Sequence, residues 1–113
     1  MITIDGLRAY GANVDEGIAR CANKEDLYLK LVGRILADKN FDGISESIES
    51  GDLDKAFECA HALKGVLANL SLTPMLVPVE RITESLRGRE DRDYSADLSE
   101  MAEAKKKFDE LFT

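Results

Sequence analysis

The segment from residue 52 to residue 70 has the most regular apolar spacing in the chain, and this spacing most limits the possible folds. Apolar residues recur there at alternating intervals of three and four positions, which places their side chains on one face of an α-helix. The stripe consists of Leu53, Ala56, Ala60, Leu63, Leu67 and Leu70. It predicts a helix with one face buried against partner helices.

Turn residues mark the start of this helix. Gly51 can adopt the left-handed conformation that ends a preceding helix, and Asp52 can cap the next one. A second glycine, Gly65, lies inside the helix, where glycine costs roughly 1 kcal/mol relative to alanine. We therefore expect that a residue without a side chain serves some other purpose at that position.

The remaining sequence also divides into amphipathic helices with short breaks. Pro74 follows Thr73 as a first-turn proline follows a cap, whereas Pro78 either kinks that helix or marks its start, and the sequence does not choose between the two. The predicted segments are 5–10, a turn near 15–20, 24–38, 41–50, 52–70, a helix from Pro74 to near Gly88, and a last helix from Ser95 or Ala96 to Phe112.

These segments predict an all-α fold, because few β-branched residues alternate anywhere in the chain. Several amphipathic helices with short connections favour an antiparallel up-and-down four-helix bundle with short additional N-terminal helices. The length of 113 residues fits a single domain over 1–113.

Composition argues against several classes of function. The formal net charge of −7 does not suit a nucleic-acid binder, which needs a basic surface. Cys21 and Cys59 are far apart and only one histidine is present, so we expect no metal site. No apolar run reaches the roughly 20 residues that cross a bilayer, and we expect no membrane partner. Two cysteines without a secretory segment favour a reduced, cytoplasmic setting.

His61 is the only histidine of the chain and lies in the stretch "ECAHALKGVLANL". At 100° per residue its side chain points about 120° away from the centre of the apolar stripe, on the flank of the helix. The residues that share its face are Asp54, Glu58, Gly65 and Ala68, with Lys64 between that face and the stripe. Gly65 and Ala68 are too small to screen the imidazole, and Lys64 can bring a positive charge. An exposed imidazole beside an ammonium group suits the acceptance of a phosphoryl group.

The residues "HALKG" (61–65) resemble the His-x-Leu-Lys-Gly signature of histidine-containing phosphotransfer domains, the HPt family. The resemblance extends from about Gly11 to Gly88. "GANVDEGIARCANKEDLYLKLV" is similar to the first segment of that family, and "SGDLDKAFECAHALKG" to its Gly-Asp turn and histidine helix.

The resemblance implies an antiparallel four-helix bundle that carries a phosphoryl group between receiver-domain aspartates and has no ATP-dependent kinase activity or cofactor of its own. By position it implies His61 as the phospho-acceptor, Lys64 as the cation that stabilises the phosphoryl group, and Gly65 as the small residue that admits the partner. The expected partner is the receiver domain of a hybrid histidine kinase, of a response regulator, or of both.

Several residues depart from the family pattern. Ser71 stands where the family commonly has a second glycine, and Val66 and Leu67 are bulkier than its usual small pair. Pro74 and Pro78 are also unusual. These departures concern the local geometry after Asn69, whereas the near neighbours of His61, namely Lys64, Gly65 and Ala68, fit the family pattern.

Two other functions compete with the relay. The first is a binding module that keeps the bundle and docks on a receiver or kinase without being phosphorylated. The second is an enzyme with His61 as general base, which the lack of a supporting constellation disfavours. The docking surface is expected around His61, with Leu27 or Leu31 at its border. Its predicted residues are Asp54, Glu58, Ala62, Lys64, Gly65 and Ala68.

Overall fold

The computed structural model describes residues 2–113, and all regular secondary structure in that range is helical. The helices are α1 (Ile4–Tyr10), α2 (Val14–Arg20), α3 (Glu25–Arg34), α4 (Asn40–Ser50), α5 (Leu53–Asn69), α6 (Thr73–Arg87) and α7 (Ser95–Glu110), with a 3₁₀ turn at Ile35–Ala37. The predicted all-α fold is confirmed.

Helix α5 begins and packs as its sequence predicts. Gly51 has φ of 81°, and the carboxylate of Asp52 accepts a hydrogen bond from the backbone N–H of Lys55 at 3.1 Å. Leu53 is partly buried, and the rest of the apolar stripe is buried. Because the stripe faces inward, the opposite flank of α5 is left at the surface.

The four longest helices, α4 to α7, pack in chain order: α4 against α5, α5 against α6, and α6 against α7. Short connections between packed neighbours favour alternating directions. Helix α7 also reaches the start of α4, since the Lys105 ammonium lies 5.2 Å from the Phe41 ring centroid. The antiparallel four-helix arrangement stays a prediction, which these contacts support.

Helices α2 and α3 pack against the C-terminal end of α5. The Tyr28 hydroxyl of α3 donates a hydrogen bond to the Leu70 carbonyl at 2.9 Å. Gly17 of α2 lies so close to both residues that a Cβ there would be 2.8 Å from the Leu70 carbonyl oxygen. This end of α5 is therefore held by α2 and α3.

The prolines of α6 do not break it, because the helix is continuous from Thr73. Pro74 lies in the first turn, where its missing N–H has no helical acceptor anyway, and Pro78 is buried inside the helix. The alternative start at Pro78 is therefore wrong. Thr73 is the first helical residue and makes no side-chain cap, since the cap position is Leu72.

Candidate functional site

His61 lies on the exposed face of α5, one turn after Phe57. Its imidazole stacks on the Phe57 ring, with 5.5 Å between ring centroids and 19° between ring planes. Its neighbours Ala60 and Leu63 point into the core. The predicted position of His61 on the flank of the helix agrees with this exposure.

Beyond His61 along the same face, the side chains are small. An added Cβ at Gly65 would meet no heavy atom within 4 Å outside its own helix backbone. Ala62 is exposed and Ala68 is partly buried. The surface next to the imidazole is therefore open to a large partner such as another protein domain.

Lys64 is partly buried and faces α6. Its ammonium lies 3.5 Å from a carboxylate oxygen of Glu84, whose other carboxylate oxygen lies 3.4 Å from the Arg87 guanidinium. Arg87 lowers the pKa of Glu84 through a hydrogen bond and through its positive charge, and Lys64 makes a smaller contribution in the same direction. The cation that the sequence assigned to the site is thus already paired with an anion from the next helix.

Asp54 also has a partner from beyond α5. It lies 2.6 Å from the Arg89 guanidinium, which in turn is 4.7 Å from the Phe57 ring centroid. Arg87 approaches the same ring at 5.4 Å. Glu58 is exposed. Of the two carboxylates expected on the docking surface, Asp54 is therefore engaged within the chain.

A groove of about 620 Å³ runs beside Gly65, between α5 and the end of α3. Its lining residues are Leu31, Arg34, Ile35, Asp38, Gly65, Val66, Asn69 and Leu70. Of the two residues expected to border the docking surface, Leu31 lines this groove, whereas Leu27 does not, although it is 38% exposed. Val66 is 40% exposed, so the groove presents apolar surface one turn beyond His61.

Within residues 2–113, no group of three or more histidine, cysteine, aspartate or glutamate side chains could hold a metal ion. In the same range, none of the helices combines the length and hydrophobicity needed to cross a membrane.

A family model described as the Hpt domain matches residues 35–112. The chain belongs to the Hpt domain family. The match covers α4 to α7 and the preceding 3₁₀ turn, and so includes the whole "HALKG" stretch. It does not cover α1 to α3, where the sequence resemblance was also seen, and it continues past Gly88 through α7. Neither the comparison with curated proteins nor that with solved structures found a match.

Four residues of this Hpt domain that contact His61, Lys64 or Phe57 were missed by sequence reasoning. Phe57 precedes His61 by four positions, so helical spacing alone could have placed the two side chains together. Glu84, Arg87 and Arg89 approach only because α6 and the segment after it pack against α5. No local sequence signal indicates those contacts.

Proposed function

We propose that this Hpt domain relays a phosphoryl group between aspartates of receiver domains through phosphorylation of His61. Hpt domains in general are phosphocarriers of phosphorelays that interact with receiver domains and are not kinases. The observation that carries the assignment to His61 is its exposure on α5, within "HALKG" and beside the open position of Gly65.

The reaction needs only a nucleophile from this chain. A lone pair of the neutral imidazole attacks the phosphorus of the aspartyl phosphate, a P–N bond forms, and the P–O bond to the aspartate breaks with release of the carboxylate. The phosphoramidate is itself labile, so the reverse steps pass the group to a second receiver aspartate. The receiver provides the acidic pocket and its Mg²⁺, and we assign no cofactor or metal to this chain.

Lys64 has the role of balancing the added charge. A phosphorylated histidine carries negative oxygens that attract an ammonium group on the next turn of the helix. To reach them, Lys64 must exchange its contact with Glu84 for the phosphoryl oxygens. This exchange keeps the ammonium close to the site before and after transfer.

The small residues Ala62, Gly65 and Ala68, with exposed Glu58, form the proposed receiver-binding surface. Asp54 also belongs to it by position, although its carboxylate is paired with Arg89. The receiver would belong to a hybrid histidine kinase, to a response regulator, or to both. The cytoplasmic location, the single domain over 1–113 and the absence of kinase activity in this chain remain predictions.

Transfer in trans tests the proposal. A receiver is labelled at its aspartate, mixed with the wild-type chain in the presence of Mg²⁺, and the label on the chain is followed over time. We expect base-stable, acid-labile label on the wild type and none on His61→Gln. Equal labelling of His61→Gln would reject the assignment, and receiver binding without any transfer would favour the non-phosphorylated docking module.

A further inference from the structure

The stacked pair of Phe57 and His61 restricts the orientation of the only histidine. We propose that Phe57 is a positioning residue that aligns the His61 imidazole for phosphoryl transfer, and that Arg89 fixes the Phe57 ring. This inference rests on the proposed function of His61. Phe57 and Arg89 both lie outside the "HALKG" stretch.

The Phe57 ring has two features of a fixed support. It is partly buried and packs against the apolar core, and its face lies nearly parallel to the imidazole, at 19°. If a small residue stood at position 57 in place of Phe57, the exposed His61 side chain would sample several rotamers. Contact with a ring that cannot move freely reduces that sampling.

Arg89 in turn is held at both of its ends. Its backbone N–H donates to the Leu86 carbonyl at 2.9 Å, and its guanidinium donates to the carboxylate of Asp54 at 2.6 Å and to the same Leu86 carbonyl at 2.7 Å. The guanidinium therefore joins the first turn of α5 to the end of α6. Asp54 lies one turn before Phe57, and His61 lies one turn after it. The Arg89 guanidinium, bound to Asp54, therefore contacts the Phe57 ring from the side of the preceding turn.

Alignment matters because the attacking nitrogen must lie in line with the P–O bond that breaks. Misplacing a reacting group by about 1 Å can lower a rate on the order of 10²-fold, even when binding is unchanged. A support for the imidazole should therefore affect the rate constant of transfer within the complex. It should have little effect on the affinity for the receiver.

The experiment compares Phe57→Leu with Phe57→Tyr, which keeps the ring. Phe112→Leu is the matched control, since Phe112 is also a partly buried aromatic residue but packs on Phe108 in the last helix. Three quantities are measured: the rate constant of transfer at saturating phosphorylated receiver, the Kd for the receiver, and the NMR shifts of the imidazole C–H protons. Because His61 is the only histidine, these resonances need no assignment among several.

We expect Phe57→Leu to lower the transfer rate constant by about tenfold, with the receiver Kd changed by less than about twofold. The imidazole resonances should lose the ring-current shift caused by Phe57. Phe57→Tyr should restore the rate constant and the imidazole shifts, Phe112→Leu should change neither of them, and Arg89→Gln should give an intermediate rate.

The inference is overturned if Phe57→Leu transfers at the wild-type rate, if Phe57→Tyr fails to rescue it, or if the imidazole shifts are the same in wild type and Phe57→Leu. A raised receiver Kd in Phe57→Leu that accounts for its slower transfer would also overturn the inference, since Phe57 would then contribute to docking. Absence of any phosphoryl group on the wild type is a different result, because it rejects the proposed function itself.

Discussion

The Lys64 ammonium lies 3.5 Å from the Glu84 carboxylate, so the cation beside His61 is paired across α5 and α6 before any phosphoryl group arrives. Glu84 also contacts Arg87, and therefore competes with a phosphoryl group for two cations. We predict that Glu84→Gln shifts the transfer equilibrium toward phosphorylated His61 by about two- to fivefold, the size expected for one exposed charge pair.

The control for this prediction is Glu80→Gln, an exposed glutamate one turn earlier on α6. It removes the same charge without touching the Lys64 contact. The equilibrium is measured as the ratio of label on the chain and on the receiver. A similar shift in both variants would mean that net charge alone is responsible.

Two substitutions of Gly65 separate the access of a partner to His61 from the stability of the fold. Since a Cβ there meets nothing within 4 Å, we expect Gly65→Ala to stabilise the fold by about 0.5–1 kcal/mol and to transfer at nearly the wild-type rate. Gly65→Gln should be folded and no less stable than wild type, but slow in transfer. Urea unfolding and transfer kinetics give the two quantities. Normal transfer by Gly65→Gln would contradict the role of the open position.

Gly17 is small for a different reason, namely the close approach of α2 to Tyr28 and Leu70. Because an added Cβ would lie 2.8 Å from the Leu70 carbonyl oxygen, Gly17→Ala should destabilise the fold by about 1–3 kcal/mol. Gly33→Ala is the control, as a Cβ there meets no atom within 4 Å and should be neutral or stabilising. Urea midpoints compare the two, and equal midpoints would disprove the close packing.

Ser71 combines a strained backbone with a hydrogen bond. Its φ is 55°, in the left-handed region that favours glycine, while its hydroxyl donates to Glu16 at 3.0 Å. Ser71→Ala and Ser71→Gly both lose the bond, but only Ser71→Ala keeps the strain, so it should be less stable than Ser71→Gly by about 1 kcal/mol. Differences in unfolding free energy test this, and an equally stable pair would show that the left-handed position carries no strain.

Local sequence signals predicted the boundaries of the central helix well. Gly51 and Asp52 act as their residue types suggest, and the spacing of the apolar stripe identified the buried face of α5. The same spacing placed His61 on the opposite flank. These features depend on neighbours within a few residues, which is why the sequence alone reveals them.

Features set by packing between helices could not be predicted in the same way. The predicted helix 24–38 ends at Arg34 and continues as a 3₁₀ turn, although its apolar spacing is uninterrupted. The pairing of Lys64 with Glu84 and of Asp54 with Arg89 joins residues 20 or more positions apart. Their contacts depend on how α6 lies against α5, which no local pattern encodes.

The central claim is that one exposed imidazole accepts the phosphoryl group, and peptide mapping tests it most directly. After transfer from a phosphorylated receiver, trypsin cleavage under mildly alkaline conditions releases residues 56–64, which contain His61 and no serine, threonine, tyrosine or aspartate. The account predicts a single base-stable, acid-labile phosphoryl group on this peptide and none on the corresponding peptide of His61→Gln. A phosphoryl group on any other peptide, or an unmodified 56–64 peptide from a chain that carries label, would contradict it.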